Sequence, residues 1–469
     1  MSISSGREPG AGGEPFGDQY RRLRAGEAVP SDVRLAVRRQ VDELSQRKTD
    51  AGLRRRLNTA VQDRWIRSRG TQLAVRRKER GEEAIVISGE LLLTTLTWSD
   101  PNARAYVTRR GLAPAPLGCA ELESRLVRVV TSAPTTAEHL EDTVAELRAR
   151  GFAASLTHIT PLAPVMKTSS AVAAPAAETF PEYVEVSTGD GSGARVAVVD
   201  TGIDAVIRGD GWLTEIPRQP ADDAATDVND VNIDPLDNDP ADGLLDLSAG
   251  HGTFVSGIVA QVAPGVDISV YRALSAGGTG SEIEVACKLI AAVRDGAQLV
   301  NLSLGTQTQF DQPSLAIAAA LEVVREIEKE RGQDVLIVAA AGNFGDTVPT
   351  WPAAFRRVVA VGSLTADLRP SVFSSRGWWV DCATVGEGIL APYVAGEQSP
   401  DFTNEPATFG PDSFARWSGT SFAAPQIVGA VARIMNERGL EPRPAYIQLL
   451  SMGRPLPDFG QAFSILPGV

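Results

Sequence analysis

Residues 415–434, Ala-Arg-Trp-Ser-Gly-Thr-Ser-Phe-Ala-Ala-Pro-Gln-Ile-Val-Gly-Ala-Val-Ala-Arg-Ile, constrain the fold more than any other stretch. Ser418-Gly419-Thr420-Ser421 reads as a tight turn of small residues. From Phe422 to Met435 nearly every position is apolar or small, the pattern of a helix buried on all sides. Pro425 fits only near the start of that helix, where a missing N–H costs little. A serine at this junction has its hydroxyl beside unsatisfied backbone N–H groups and the positive end of a helix. That geometry suits a nucleophile, because an oxyanion forming there meets ready donors. It equally suits a serine that only caps a core helix.

Two further stretches bear on the choice. Residues 195–204, Arg-Val-Ala-Val-Val-Asp-Thr-Gly-Ile-Asp, read as a short apolar strand ending in a carboxylate and a glycine turn. Residues 250–259, Gly-His-Gly-Thr-Phe-Val-Ser-Gly-Ile-Val, place a histidine between glycines at the start of a second small-residue helix. The chain order is therefore Asp200, His251, Ser421. A serine hydroxyl needs a base to take its proton, and the base needs an anion to orient it. In these motifs and in their order the chain resembles the subtilisin-like serine peptidases, over roughly residues 194–436.

The resemblance implies roles residue by residue. Ser421, in Gly419-Thr420-Ser421, matches the family's nucleophile. His251 matches the general base and acid, and Asp200 matches the aspartate that holds the imidazole. Asn343, in the run Ala339-Ala340-Ala341-Gly342-Asn343-Phe344-Gly345, matches the oxyanion asparagine, with the Ser421 N–H as second donor. Taken alone, Asn343 reads equally as a turn residue after Gly342. Ser303-Leu304-Gly305 matches a wall of the pocket for the residue before the scissile bond, and Phe344 stands where the family places its floor. Gly278 and Gly280 match the edge to which a substrate backbone adds as a strand. An apolar floor implies preference for apolar or aromatic side chains there, and Glu282 and Glu284 imply a basic residue further upstream. Residues 373–377, Phe-Ser-Ser-Arg-Gly, match a structural motif of the family. Residues 383–386, Ala-Thr-Val-Gly, depart from its usual Ala-Pro-Gly.

The chain's 469 residues are enough for two or three domains, and 43% are hydrophobic, enough for a large core. The net charge is −13, so nucleic acid is not an expected partner of the whole molecule. The charge is uneven: residues 20–80 hold 18 Lys/Arg against 7 Asp/Glu. Three cysteines, Cys119, Cys287 and Cys382, lie far apart in sequence and fit reduced thiols in a cytoplasmic protein. No segment approaches the roughly 20 apolar residues of a membrane span, and residues 1–30 show no apolar signal core.

The expected architecture is an α/β fold: a subtilisin-like, mostly parallel sheet flanked by helices, preceded by an N-terminal α+β domain and a basic helical extension. Residues 1–82 comprise a disordered start and the basic extension. Within it, 31–80 read as helix, with Ser31-Asp32 as N-cap and Leu35, Leu44, Leu53, Leu57, Val61 and Trp65 as sparse apolar positions. This is either a solvated helical pair or a surface for nucleic acid or an acidic partner. Residues 83–165 form the small α+β domain: strands near 84–97, 125–131 and 152–159, a helix over 136–150, and a turn-rich segment over 101–119. Residues 166–190, rich in Ala, Ser, Thr, Pro and Gly, are a linker. Residues 191–469 alternate strands and helices, which implies a parallel sheet with ligands at the strands' carboxyl ends, where Asp200 lies.

Nine aspartates between Asp222 and Asp246 form an acidic run. It reads as a solvated loop, a calcium site, or a docking surface for basic segments; no spacing matches a recognised calcium loop. No other cofactor is expected. Of the three histidines, His139 on a polar helix and His158 on an N-terminal strand do not compete with His251. The expected activity is a serine endopeptidase acting on polypeptides through an acyl-enzyme. The alternative is a catalytically silent peptide-binding scaffold on the same fold. An esterase has little support, because no Gly-x-Ser-x-Gly elbow surrounds Ser421. The α+β domain, placed just ahead of the catalytic region, is expected to inhibit it intramolecularly, as N-terminal domains of the family often do.

Overall fold

The computed structural model describes residues 31–46, 59, 61–67, 69–77, 83–131, 135–161, 172–173, 193–219, 232–237, 242–309, 311–400 and 406–469. The expected disordered start and most of the expected linker lie outside these residues, as do Leu53 and Leu57.

The N-terminal part begins with helix α1 (Ser31–Gln46) and a helical stretch over 61–67. Strands β1 (Leu73–Arg77) and β2 (Glu83–Thr94) follow. Helix does not continue to residue 80, as the sequence reading held. Leu73-Ala-Val-Arg-Arg77 pairs with residues 83–87 of β2 as an antiparallel strand. The segment expected to be turn-rich contains helix α2 (Pro101–Arg109). Its start is encoded by Asp100, whose carboxylate accepts the N–H groups of Asn102 and Ala103, and by Pro101 at the first turn. Next come β3 (Ala113–Ala115), the one-turn α3 (Ala120–Glu123), β4 (Leu126–Val130), α4 (Ala137–Ala149) and β5 (Ala154–Pro161). These make an antiparallel sheet in the order β5-β2-β4-β3, with β1 also on β2. Leu140, Val144 and Leu147 of α4 cover it and pack against Val86, Leu91, Leu93 and Leu156.

Strand β6 (Val172–Ala173) leads towards the larger part. There, β7 (Arg195–Asp200), α5 (His251–Val262), β8 (Asp267–Arg272), β9 (Thr279–Ser281), α6 (Glu282–Arg294), β10 (Leu299–Leu302), α7 (Leu315–Arg331), β11 (Leu336–Ala340), β12 (Val358–Leu364) and β13 (Cys382–Val385) succeed one another. The chain closes with β14 (Phe414–Trp417), a 3-10 turn at Thr420–Phe422, α8 (Ala424–Arg438), a helix at Pro442–Leu450, and the hairpin β15 (Arg454–Leu456)–β16 (Gly460–Ala462). The central sheet runs β15-β16-β13-β12-β11-β10-β7-β8 and is parallel except at that hairpin.

Both faces of this sheet are covered, so its strands are apolar at successive positions. Val196 and Val198 of β7 face one core, with Phe254 and Ile258 of α5 and Ile427 and Val431 of α8. Ala197 and Val199 face the other, with Leu289 of α6 and Val324 of α7. Leu92, Leu117, Cys119, Leu122 and Leu126 of the N-terminal part belong to that second cluster. The α+β part therefore sits on the α6/α7 side of the larger part through a shared apolar seam.

Candidate active site

Asp200 is the last residue of β7, at the carboxyl end of a central strand. His251 is the first residue of α5. Their neighbouring glycines explain the local sequence. A Cβ on Gly252 would lie 2.1 Å from the Gly202 carbonyl oxygen, so the aspartate turn and the histidine helix meet backbone to backbone. This contact brings Asp200 Oδ1 within 2.7 Å of His251 Nδ1. The same oxygen accepts the Thr201 N–H at 2.7 Å. The imidazole lies against Trp417 and Phe422, with ring centroids 5.5 and 5.3 Å away.

Ser421 sits in the 3-10 turn that leads into α8, next to Phe422. Its Oγ donates to the Ser303 carbonyl at 3.2 Å, and Ser303 Oγ donates back to the Ser421 carbonyl at 2.7 Å. Asn301 supports this from below, donating to Ser303 Oγ at 2.9 Å. Asn343 Oδ1 accepts both the Thr420 N–H (2.9 Å) and the Thr420 hydroxyl (2.8 Å). With its oxygen committed there, the donor end of the amide is Nδ2, close beside Gly419. The Thr420 and Phe422 N–H groups are bonded to Asn343 and Gly419, whereas the Ser421 N–H has no such bond among the described residues. The 383–386 stretch that departs from the family pattern forms β13 and the turn after it. There the Gly386 carbonyl accepts the Gly419 N–H at 2.8 Å, so the loop supports the nucleophile turn. Within the 373–377 motif, Ser375 Oγ accepts the Phe344 N–H.

The expected substrate-binding residues divide. Gly305 and Gly342 lie on facing segments beside Ser421, and Thr350 comes between them. A Cβ on Gly305 would lie 2.7 Å from Thr350 Cγ2, and one on Gly342 would lie 3.1 Å from Thr350 Oγ1. The Phe344 ring folds back over Gly342 rather than forming a floor alone. Thr350 is fully buried, and its hydroxyl has no partner among the described residues. The Leu304 side chain lies in the core on the α6/α7 side, so only its backbone is left to line a pocket. Glu282 and Glu284 do not face a cleft either. Glu282 is fully buried, and Glu284 closes a capping box on Ser281 while pairing with Arg69.

The edge bearing Gly278 and Gly280 is already paired. Strand β9 is extended by β5, antiparallel, with Thr279 opposite Pro161, Gly280 opposite Thr160 and Ser281 opposite Ile159. Across this contact Glu282 accepts the His158 N–H at 2.8 Å and lies 3.2 Å from His158 Nδ1, while His158 Nε2 accepts the Gln309 N–H at 3.2 Å. Ser314 and the Ala316 N–H complete the shell of Glu282, and hydrogen bonding from His158 holds its carboxyl below the ordinary range despite burial. Beyond β5, β6 pairs with β14, the strand that runs into the nucleophile turn. Asp200, His251 and Ser421 are all fully buried in this arrangement.

One residue of the site escaped the sequence reading. Asp234, within the acidic run, accepts the Thr201 hydroxyl (2.6 Å) and the Gly250 N–H (2.9 Å). It thereby ties the aspartate turn to the histidine turn. Burial pushes its carboxyl up to about 7, against hydrogen bonds that pull it down. Asp246 pairs with Arg64, and Asp237 and Asp242 accept nearby backbone N–H groups. The other five aspartates lie outside the described residues. Among the described residues no group of three or more His, Cys, Asp or Glu could hold a metal ion.

A model of the subtilase family matches residues 191–448. The chain belongs to the subtilase family. Among its relatives, Subtilisin Savinase of Lederbergia lenta is 32% identical over 257 residues, covering 52% of this chain and 77% of that one. Thermitase of Thermoactinomyces vulgaris is 30% identical over 260 residues, 53% of this chain and 77% of the relative. The Thermophilic serine proteinase of Bacillus sp. (strain AK1) is 29% identical over 270 residues, and the match spans only 56% of its length. Fervidolysin from Fervidobacterium pennivorans shares the fold at TM-score 0.53 and 19% identity, over 81% of this chain and 60% of its own. The constellation at the end of β7 is thus found in a subtilase. No helix among the described residues is long and apolar enough to cross a membrane.

Proposed function

We propose that this subtilase is a serine endopeptidase held latent by its own N-terminal domain. The observation that carries the reading is the strand β5 laid along β9. It occupies the backbone edge a polypeptide substrate needs, above a site in which Asp200 holds His251 while the Ser421 hydroxyl is turned to the Ser303 carbonyl.

In the open enzyme, Ser421 Oγ attacks the scissile carbonyl and passes its proton to His251. Asp200 holds Nδ1–H and stabilises the imidazolium. The carbonyl oxygen, now an anion, takes hydrogen bonds from Asn343 Nδ2 and the Ser421 N–H. His251 returns the proton to the leaving amine, and water repeats the sequence on the acyl-enzyme. The silent-scaffold alternative finds no support, since every position the chemistry uses holds a competent residue.

Thr350 between Gly305 and Gly342 favours a shallow primary pocket, so small side chains are preferred before the scissile bond rather than large aromatic ones. Three thiols with no disulfide among them favour a reducing, cytoplasmic setting. A fluorophosphonate probe is the test. It is expected to label the opened enzyme at Ser421, and Ser421→Ala is expected to lose both label and peptide hydrolysis while folding normally. Hydrolysis by Ser421→Ala above a few per cent of the parent rate refutes the assignment.

A further inference from the structure

The N-terminal part seats an arginine beside the edge that β5 covers. Arg64, in the helical stretch over 61–67, reaches Asp246, with Nη2 3.3 Å from Oδ1. A Cβ on Gly277 would lie 3.8 Å from Arg64 Cδ, so the stem of the arginine runs past Gly277. The Asp246 side chain is only 3% exposed. Its loop leads straight into the histidine helix. The Ala249 N–H donates to the Asp246 carbonyl, and the His251 N–H donates to the Ser248 carbonyl. The Ser248 N–H donates to the Ala276 carbonyl at 2.8 Å, which ties this loop to the approach to β9. Asp246 and Gly277 thus flank one seat between the β9 edge and His251.

Strand and arginine are presented by one packed body. Val61 and Trp65, on either side of Arg64, pack with Ile85, Ile87 and Ile159. Ile159 is the β5 residue opposite Ser281, and Pro161 is opposite Thr279. A chain on the β5 track therefore advances from Ser281 towards Gly278 and Gly277, which is towards His251. The seat of Arg64 lies along that path.

We propose that Asp246 forms a substrate subsite for an arginine or lysine side chain upstream of the residue before the scissile bond, and that Arg64 occupies this subsite in the latent form. The inference rests on the endopeptidase reading above. When the N-terminal part leaves, Arg64 leaves with it, and a buried carboxylate loses a cation. A substrate guanidinium or ammonium restores a charge-assisted hydrogen bond there, a neutral side chain does not, and a carboxylate is repelled. Arg69 makes a second pair, to Glu284 past the other end of β9. That carboxylate is more exposed and is already engaged by the Ser281 capping box, so it contributes less. Selection for a basic residue therefore falls on Asp246 rather than on the glutamates that follow β9.

The experiment nicks the full-length protein by limited proteolysis between residues 162 and 192. It then profiles hydrolysis on a peptide library with alanine before the scissile bond and each upstream position varied in turn. Arg and Lys are expected to exceed Ala at one upstream position by about tenfold or more in kcat/KM, the worth of one hydrogen bond to a charged group. Asp246→Asn, checked for folding by thermal melting, is expected to lose that preference. Arg64→Met keeps the stem and removes the charge. In the intact protein it is expected to raise hydrolysis of the arginine peptide more than that of the alanine peptide. A flat upstream profile, a basic preference that survives Asp246→Asn, or an equal rise for both peptides in Arg64→Met overturns the proposal and leaves the endopeptidase standing. A binding measurement separates the two readings. Nicked Ser421→Ala is expected to bind a fluorescent arginine peptide about tenfold more tightly than its alanine counterpart, read by anisotropy. Equal binding overturns the subsite. Tighter binding of the arginine peptide in a protein whose parent hydrolyses nothing overturns the endopeptidase and leaves the subsite as a binding site.

Discussion

Substituting alanine for His158 tests whether docking of β5 controls access to the site. His158 makes two side-chain contacts across the domain boundary, one to Glu282 and one to the Gln309 N–H. They fix the tautomer: Nδ1 donates and Nε2 accepts. A hydrogen bond to a buried carboxylate contributes about 1.5–3 kcal/mol, and a neutral one about 1. Glu282 keeps the His158 backbone N–H, Ser314 and Ala316, so the variant does not strand a bare charge in the seam. Docking is then expected to weaken by roughly 2–4 kcal/mol, or about 30- to 1,000-fold. If the docked form is inactive, the basal rate of the full-length enzyme follows its undocked fraction and rises by the same factor until opening is complete. The assay is initial-rate hydrolysis of a fluorogenic peptide, normalised to folded protein by thermal melting. A basal rate within about twofold of the parent, with folding intact, refutes the argument that β5 blocks the site.

Other outcomes follow from the same geometry. Asn343→Ala is expected to lower kcat about 10²–10³-fold with little change in KM, the range for one oxyanion donor and one drawn largely from subtilisin itself; an unchanged kcat rejects that role. For Asp234 the ordinary carboxylate value is 3.8 and the folded value about 7. The folded form therefore binds more protons than the unfolded form between these values, and stability falls as pH rises through the window, by roughly 4 kcal/mol. Asp234→Asn is expected to flatten that slope in urea unfolding at pH 5 and pH 7.5, and an identical slope in both proteins refutes it. Thr350→Gly is expected to shift kcat/KM towards larger residues before the scissile bond, by about tenfold or more for Phe relative to Ala; an unaltered profile on a peptide library places the pocket elsewhere.

What the sequence made legible was local. The strand ending in Asp200, the histidine at a helix start and the serine turn before α8 are each written in consecutive residues, and so are most strands of the central sheet. The helix at Pro101–Arg109 was equally local and was missed, because Asp100-Pro101 reads as a turn unless taken as a cap followed by a first-turn proline. Strand β1 was hidden by its arginines, which suit a basic helix as well as a strand edge. The contacts that bear on regulation were not legible. His158 and Glu282 are 124 residues apart, and nothing near either one announces the other. Asp234 was lost among nine aspartates, since composition does not say which one turns inward. Leu304 illustrates the converse: matching to a family places a residue in a pocket-lining segment without saying which way its side chain points.

The backbone contact between Gly202 and Gly252 has a further consequence, for motion. With main chain against main chain, and with Asp234 bridging them, the aspartate turn and the histidine turn cannot separate by a change of rotamer. Their amides are expected to exchange hydrogen only when the central sheet itself opens, at the full cost of global unfolding. The three-residue pairing of β5 on β9 involves far fewer bonds and opens sub-globally. Hydrogen exchange then divides the molecule into a slow block that carries the chemistry and a fast hinge that admits substrate. Heating is expected to unmask the enzyme well before it destroys it.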